Sequence, residues 1–145
     1  MTESPLATTR AQVLIPRNMN APTNVKPLAY VVDDEPMLLD LNESLLQTMG
    51  FAVRRFRAAE LAFAAYQAEP VPPAIIVTDF SMHEMTGLDL IEACRKIHPG
   101  QKFLLVSGTV NAEVFVDSPT KPNHFMPKPY ATDEFSAAVQ KLTGQ

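Results

Sequence analysis

From residue 28 onward, short apolar runs alternate with segments whose apolar residues recur at helical spacing, the pattern of successive βα units in a parallel sheet. The first run, Leu28-Ala29-Tyr30-Val31-Val32, stops at Asp33, Asp34 and Glu35. Pro36 suits the first turn of a following helix, where a missing N–H costs nothing, and Leu38, Leu41, Leu45 and Met49 supply a core stripe up to Gly50. Residues 51–56 read as a second strand, 58–68 as an alanine-rich helix, and 74–78 (AIIVT) as a third strand ending at Asp79. That third strand is nearly all apolar, as a strand buried on both faces of a parallel sheet is. A helix over 88–98, a fourth strand over 103–106, a short fifth strand over 125–126 and a closing helix over 132–142 complete the pattern. Residues 111–116 suit a helix, but Pro119 and Pro122 interrupt it, so a brief helix and an irregular linker are expected. Cys94 follows Leu88 and Ile91 at helical spacing, which predicts a partly buried small hydrophobe rather than a redox sensor.

Residues 1–27 break the pattern. Pro5, Pro16, Pro22 and Pro27 stand among Thr, Asn, Ala and Met, which reads as a flexible leader and leaves one domain over 28–143. Within the leader, Val13-Leu14-Ile15 is apolar but too short to bury much surface, whether it docks on the domain, on a partner or on nothing. Arg10, Arg17 and Lys26 outnumber Glu3 there, so the rest of the chain is more acidic than the net charge of −4 states. No clustered Lys/Arg face suggests nucleic acid. No apolar run approaches the ~20 residues of a membrane helix, and the N-terminus lacks the order of a secretory signal. The single cysteine excludes an intramolecular disulfide and suits the cytoplasm. No effector domain is expected after the closing helix, so output would run through protein contacts.

In open parallel sheets, ligands bind beyond the carboxyl ends of the strands. Here those ends carry Asp33 and Asp34, Asp79, Ser107, and then Lys128. Three carboxylates converging on one edge repel one another unless a lysine or a hard divalent cation compensates, and magnesium, with its preference for oxygen ligands, is the natural choice. Each residue alone has a plainer reading. The Asp33–Asp34 pair suits a helix N-terminus, Lys128 a solvated charge, Ser107-Gly108 a turn, and Phe125 the core.

Taken together, VVDDE (31–35), TDFSMHEMTGLDL (78–90), LLVSGT (104–109) and PKPY (127–130) resemble, in order, the four motifs of the receiver domains of two-component response regulators. The resemblance covers residues 28–143. It implies an α/β, flavodoxin-like, doubly wound five-stranded parallel sheet of order 2-1-3-4-5, here with a shortened or irregular fourth helix. An edge position for the fifth strand would tolerate Pro127. The resemblance also implies that Asp79 accepts a phosphoryl group from a histidine kinase or histidine phosphotransfer protein. Mg2+ would be held by Asp34, Asp79 and the Ser81 backbone carbonyl, and by Asp33 through water. Lys128 would neutralise charge, Ser107 would bond the phosphoryl oxygens, and Phe125 would change rotamer as Ser107 moves. A cis Lys128–Pro129 bond is usual in the family.

Such a protein is a signalling phosphoprotein rather than an enzyme, a monomer or weak dimer that acts on a downstream protein partner, with no direct nucleic-acid or membrane role. His83 stands where the family usually has proline, and a solvent-exposed side chain is expected there. Ser81 and Thr109 flank the path of attacking water. The alternative is a receiver-like binding module acting without phosphorylation. An aspartyl phosphatase is disfavoured because Ser81, not an acid, lies two residues beyond Asp79, and an FMN site because acidic groups stand where a phosphate-binding loop belongs.

Overall fold

The computed structural model describes residues 25–144 other than His83 and Val116. The leader up to residue 24, its Val13-Leu14-Ile15 stretch and the solvent placement of His83 lie outside the described residues. Five strands, β1 (Leu28–Val32), β2 (Ala52–Phe56), β3 (Ile75–Asp79), β4 (Phe103–Ser107) and β5 (His124–Pro127), form one parallel sheet in the order β2-β1-β3-β4-β5. The expected fold class and strand order are those observed.

Side chains alternate across the sheet as a period of two requires. Ala29, Val31, Ile75, Val77, Leu104 and Val106 pack beneath helices α1 (Pro36–Thr48) and α4 (Thr132–Thr143). Tyr30, Val32, Ile76, Phe103 and Leu105 face α2 (Ala59–Ala68) and α3 (Gly87–Ile97). Every residue of β3 and β4 is buried, which is why those runs stay apolar up to Val77 and Val106 with no polar alternation. A capping box opens α3: Thr86 Oγ1 accepts from the Asp89 N–H (3.1 Å) and Asp89 Oδ2 from the Thr86 N–H (3.0 Å).

Two expectations need correction, and the brief helix expected after Ser107 is present. The buried stripe of α1 is Leu39, Asn42 and Leu46, while Leu41 is 40% exposed and Leu38, Leu45 and Met49 only flank the stripe. An apolar count missed this register because its middle position is polar: buried Asn42 Oδ1 accepts a hydrogen bond from the Tyr130 hydroxyl at 3.0 Å. Cys94 is fully buried rather than partly so. As expected, the segment after Ser107 holds only a brief helix, a single 3-10 turn over Ala112–Phe115. The linker beyond it is held by Arg95, whose Nη2 donates to Asn123 Oδ1 (2.8 Å), and Asn123 Oδ1 also accepts from the Phe103 N–H (2.8 Å).

Among the described residues β5 pairs with β4 alone, at the sheet edge, so Pro127, which lacks an N–H, removes no ladder bond on its outer side. The Lys128–Pro129 peptide is cis. Among the described residues, no helix is long and apolar enough to cross a membrane.

Candidate functional site

The carboxyl ends of β1, β3, β4 and β5 meet along one edge of the sheet. Backbone bonds continue past the strands and fix that edge: the Asp33 N–H donates to the Phe56 carbonyl (3.1 Å), the Phe80 N–H to Val106 (3.0 Å) and the Lys128 N–H to Ser107 (2.8 Å). Asp33, Asp34 and Asp79 each bring a carboxylate oxygen into a cluster in which all three lie within 4.8 Å of one another. Asp33 and Asp79 are buried, and Asp34 is more accessible.

Lys128 reaches into this cluster from the far side. Its Nζ lies 3.1 Å from Asp33 Oδ2, 3.2 Å from Glu35 Oε1 and 3.6 Å from Asp79 Oδ2. Burial alone would disfavour its ammonium, but the facing Asp33 and Asp79 outweigh that, and its pKa is raised. Asp79 is pushed up to about 6, first by desolvation and further by the like charges of Asp33 and Asp34, against the opposing pull of Lys128. Asp33 is also raised by burial, although the Glu35 N–H (2.9 Å to Oδ1) and Lys128 favour its charged form. Both carboxylates therefore sit where more positive charge would be welcome.

Ser107 is buried at the end of β4, and its hydroxyl is engaged locally. Oγ accepts from the N–H groups of Thr109 (3.1 Å) and Val110 (3.2 Å) and lies 3.2 Å from Thr109 Oγ1. Thr109 Oγ1 in turn lies 2.6 Å from Ser81 Oγ, so a chain of three hydroxyls joins the loop after β3 to the loop after β4. Phe125 is half-buried on β5, with its ring 5.3 Å from that of buried Phe115, which lies 6.5 Å from Phe80. A groove lined by Met37, Leu38, Leu41, Pro129 and Tyr130 opens beside Lys128, with Met37 82% exposed.

The fold thus brings Asp33, Asp34, Asp79 and Lys128 into direct proximity, with Ser107 at the end of β4 and Phe125 within β5, paired with Leu105 two residues before that end. Sequence reading missed Glu35 as a second anion on Lys128. Its place at the close of VVDDE, where the chain turns from β1 into α1, was the available signal. Ser81 and Thr109, expected to flank the path of attacking water, are in direct hydrogen-bond contact.

Residues 29–140 match the response regulator receiver domain family. The sensor kinase CckA of Brucella abortus is 27% identical over 113 residues, spanning 77% of this chain and 12% of CckA. The nitrogen assimilation regulatory protein NtrX of Azorhizobium caulinodans is 27% identical over 114 residues, spanning 77% of this chain and 25% of NtrX. The chain therefore spans only about an eighth and a quarter of the length of these relatives. Among solved structures, the response regulator protein TrrA from Thermotoga maritima in complex with Mg2+-BeF superposes with a TM-score of 0.69. It is 22% identical and covers 80% of this chain and 98% of that one, a likeness that shows the fold. With the family matched over most of its length and the strand order in place, this chain belongs to the response regulator receiver domains of two-component systems.

Proposed function

We propose that this receiver accepts a phosphoryl group on Asp79 from a phosphohistidine donor, a histidine kinase or histidine phosphotransfer protein, and that the modified state is read by a downstream protein. The observation that carries the reading is the Asp33, Asp34 and Asp79 cluster closed by Lys128, with Asp79 Oδ2 3.6 Å from Nζ. Three carboxylates gathered at one sheet edge, with Lys128 reaching them, are a donor set that suits a hard divalent cation. Asp34 and Asp79 would hold magnesium directly, the Ser81 backbone carbonyl would complete the protein ligands, and Asp33 would act through water. When bound, magnesium supplies positive charge against the oxygens of the incoming phosphoryl group.

In the transfer, an Asp79 carboxylate oxygen forms a bond to phosphorus while the bond to the donor nitrogen breaks and its electron pair leaves with the imidazole. Lys128 supplies a compact charge that can turn toward the new phosphate. Ser107 would exchange its local bonds for one to a phosphoryl oxygen. Its shift would draw on the Thr109 and Ser81 hydroxyls and free space for Phe125 to rotate against Phe115, turning a local charge event into a surface change. A chain with one cysteine, buried, suits the reducing cytoplasm in which we place it. We assign no other enzymatic activity, and no direct contact with nucleic acid.

Incubation with acetyl phosphate tests the reading. Intact-mass spectrometry is expected to show the gain of one phosphoryl group that requires magnesium. No gain at any magnesium concentration would overturn it in favour of a binding module that works by partner occupancy alone.

A further inference from the structure

Lys128 carries three N–H donors and faces three carboxylates. The two oxygens within hydrogen-bonding reach belong to Asp33 (3.1 Å) and Glu35 (3.2 Å), while Asp79 stands farther off at 3.6 Å. Glu35 is fixed at this place by its backbone. Its N–H donates to Asp33 Oδ1 at 2.9 Å, and its carbonyl accepts from the Leu38 and Leu39 N–H groups at 3.1 Å each, as the first turn of α1 begins. The Glu35 side chain is 61% exposed, so it meets Lys128 from the solvent side, while Asp33, 1% exposed, meets it from within. The ammonium is thereby held between two anions that are not the proposed phosphoacceptor.

We propose that Glu35 is a positioning residue that holds Lys128 back from Asp79 in the unphosphorylated protein and must release it before the ammonium can reach a phosphoryl group. The proposal rests on the reading of Asp79 as phosphoacceptor. An ion pair with so exposed a partner is weak in water, which is what a releasable restraint requires. Asp33, buried and bonded also to the Glu35 N–H, cannot let go at comparable cost. Glu35 is therefore the member of the group whose grip sets how readily Lys128 turns.

Crystal structures of the metal-free wild type, Glu35→Gln and Glu35→Ala test the geometry. In the variants the Lys128 Nζ to Asp79 Oδ2 separation is expected to contract to about 2.8–3.0 Å. Affinity for beryllium fluoride with magnesium, measured by calorimetry, is expected to rise by about two- to fivefold, the scale of one exposed ion pair. That gain should vanish when Lys128→Gln is combined with either change. An unmoved Lys128 in both variants, a gain that survives the loss of Lys128, or a moved Lys128 with no gain in affinity would each overturn the proposal. If the wild type binds no beryllium fluoride, the functional reading fails instead, and the crystal distances alone decide whether Glu35 holds Lys128 away.

Discussion

Gly87, the first residue of α3, packs so closely on Asp79 that a Cβ at position 87 would lie 2.5 Å from the Asp79 carbonyl oxygen. The same Cβ would meet Leu105 Cδ1 at 2.6 Å and Phe80 Cα at 3.1 Å, so two of its three neighbours are backbone atoms that cannot swing aside. Gly87→Ala is therefore expected to cost about 1–3 kcal/mol by overpacking and to slow phosphoryl acceptance by displacing the end of β3. Denaturant midpoints and acetyl phosphate labelling check both effects. An unchanged midpoint would contradict the packing.

The register of α1 gives a second test. Leu46, fully buried, should cost about 2–5 kcal/mol when cut to alanine. Leu41→Ala, on the exposed flank, should stay within about 0.5 kcal/mol of the wild type. Urea unfolding of the two variants distinguishes this register from one with Leu41 in the core.

Those elements also show what could be read from the sequence. The strands were legible because β1, β3 and β4 are apolar runs that close on Asp33, Asp79 and Ser107, polar groups that stay buried where the chemistry begins. The four motifs fixed the strand order by resemblance, and Asp33, Asp34, Asp79 and Lys128 stood out because charged groups directly follow apolar strands. The register of α1 was not legible, because a buried Asn42 satisfied by Tyr130 looks, in sequence, like a surface residue. Nor was the bond from Lys128 to Glu35, since a contact between side chains from separate loops leaves no periodic trace even where, as in VVDDE, the residue stands beside the site.

Burial pushes the Cys94 thiol up to about 12, against about 8.5 for a free cysteine. As pH rises the unfolded chain loses this proton first, so stability is full below about 8.5 and falls toward 12, by at most about 1.4 kcal/mol per pH unit. Between about pH 8 and pH 10 the wild type should lose more stability than Cys94→Ala, by urea unfolding. The native thiol should also resist Ellman's reagent until the protein unfolds, and rapid labelling of the folded protein would contradict the burial.

Magnesium should bind the folded protein and not the unfolded chain. At ten times its dissociation constant it should add about 1.4 kcal/mol of stability, lost on chelation. Asp34→Asn should weaken this response, with thermal unfolding as the measure. A melting temperature indifferent to magnesium would remove the metal from the account.

Asp79 is the residue we propose is modified. Borohydride reduction of the acetyl phosphate-treated protein converts an aspartyl phosphate to homoserine, which tandem mass spectrometry locates by peptide. Homoserine is expected at position 79 alone and absent from Asp79→Asn; homoserine at position 33 or 34, or labelling that survives Asp79→Asn, would overturn Asp79 as the phosphoacceptor.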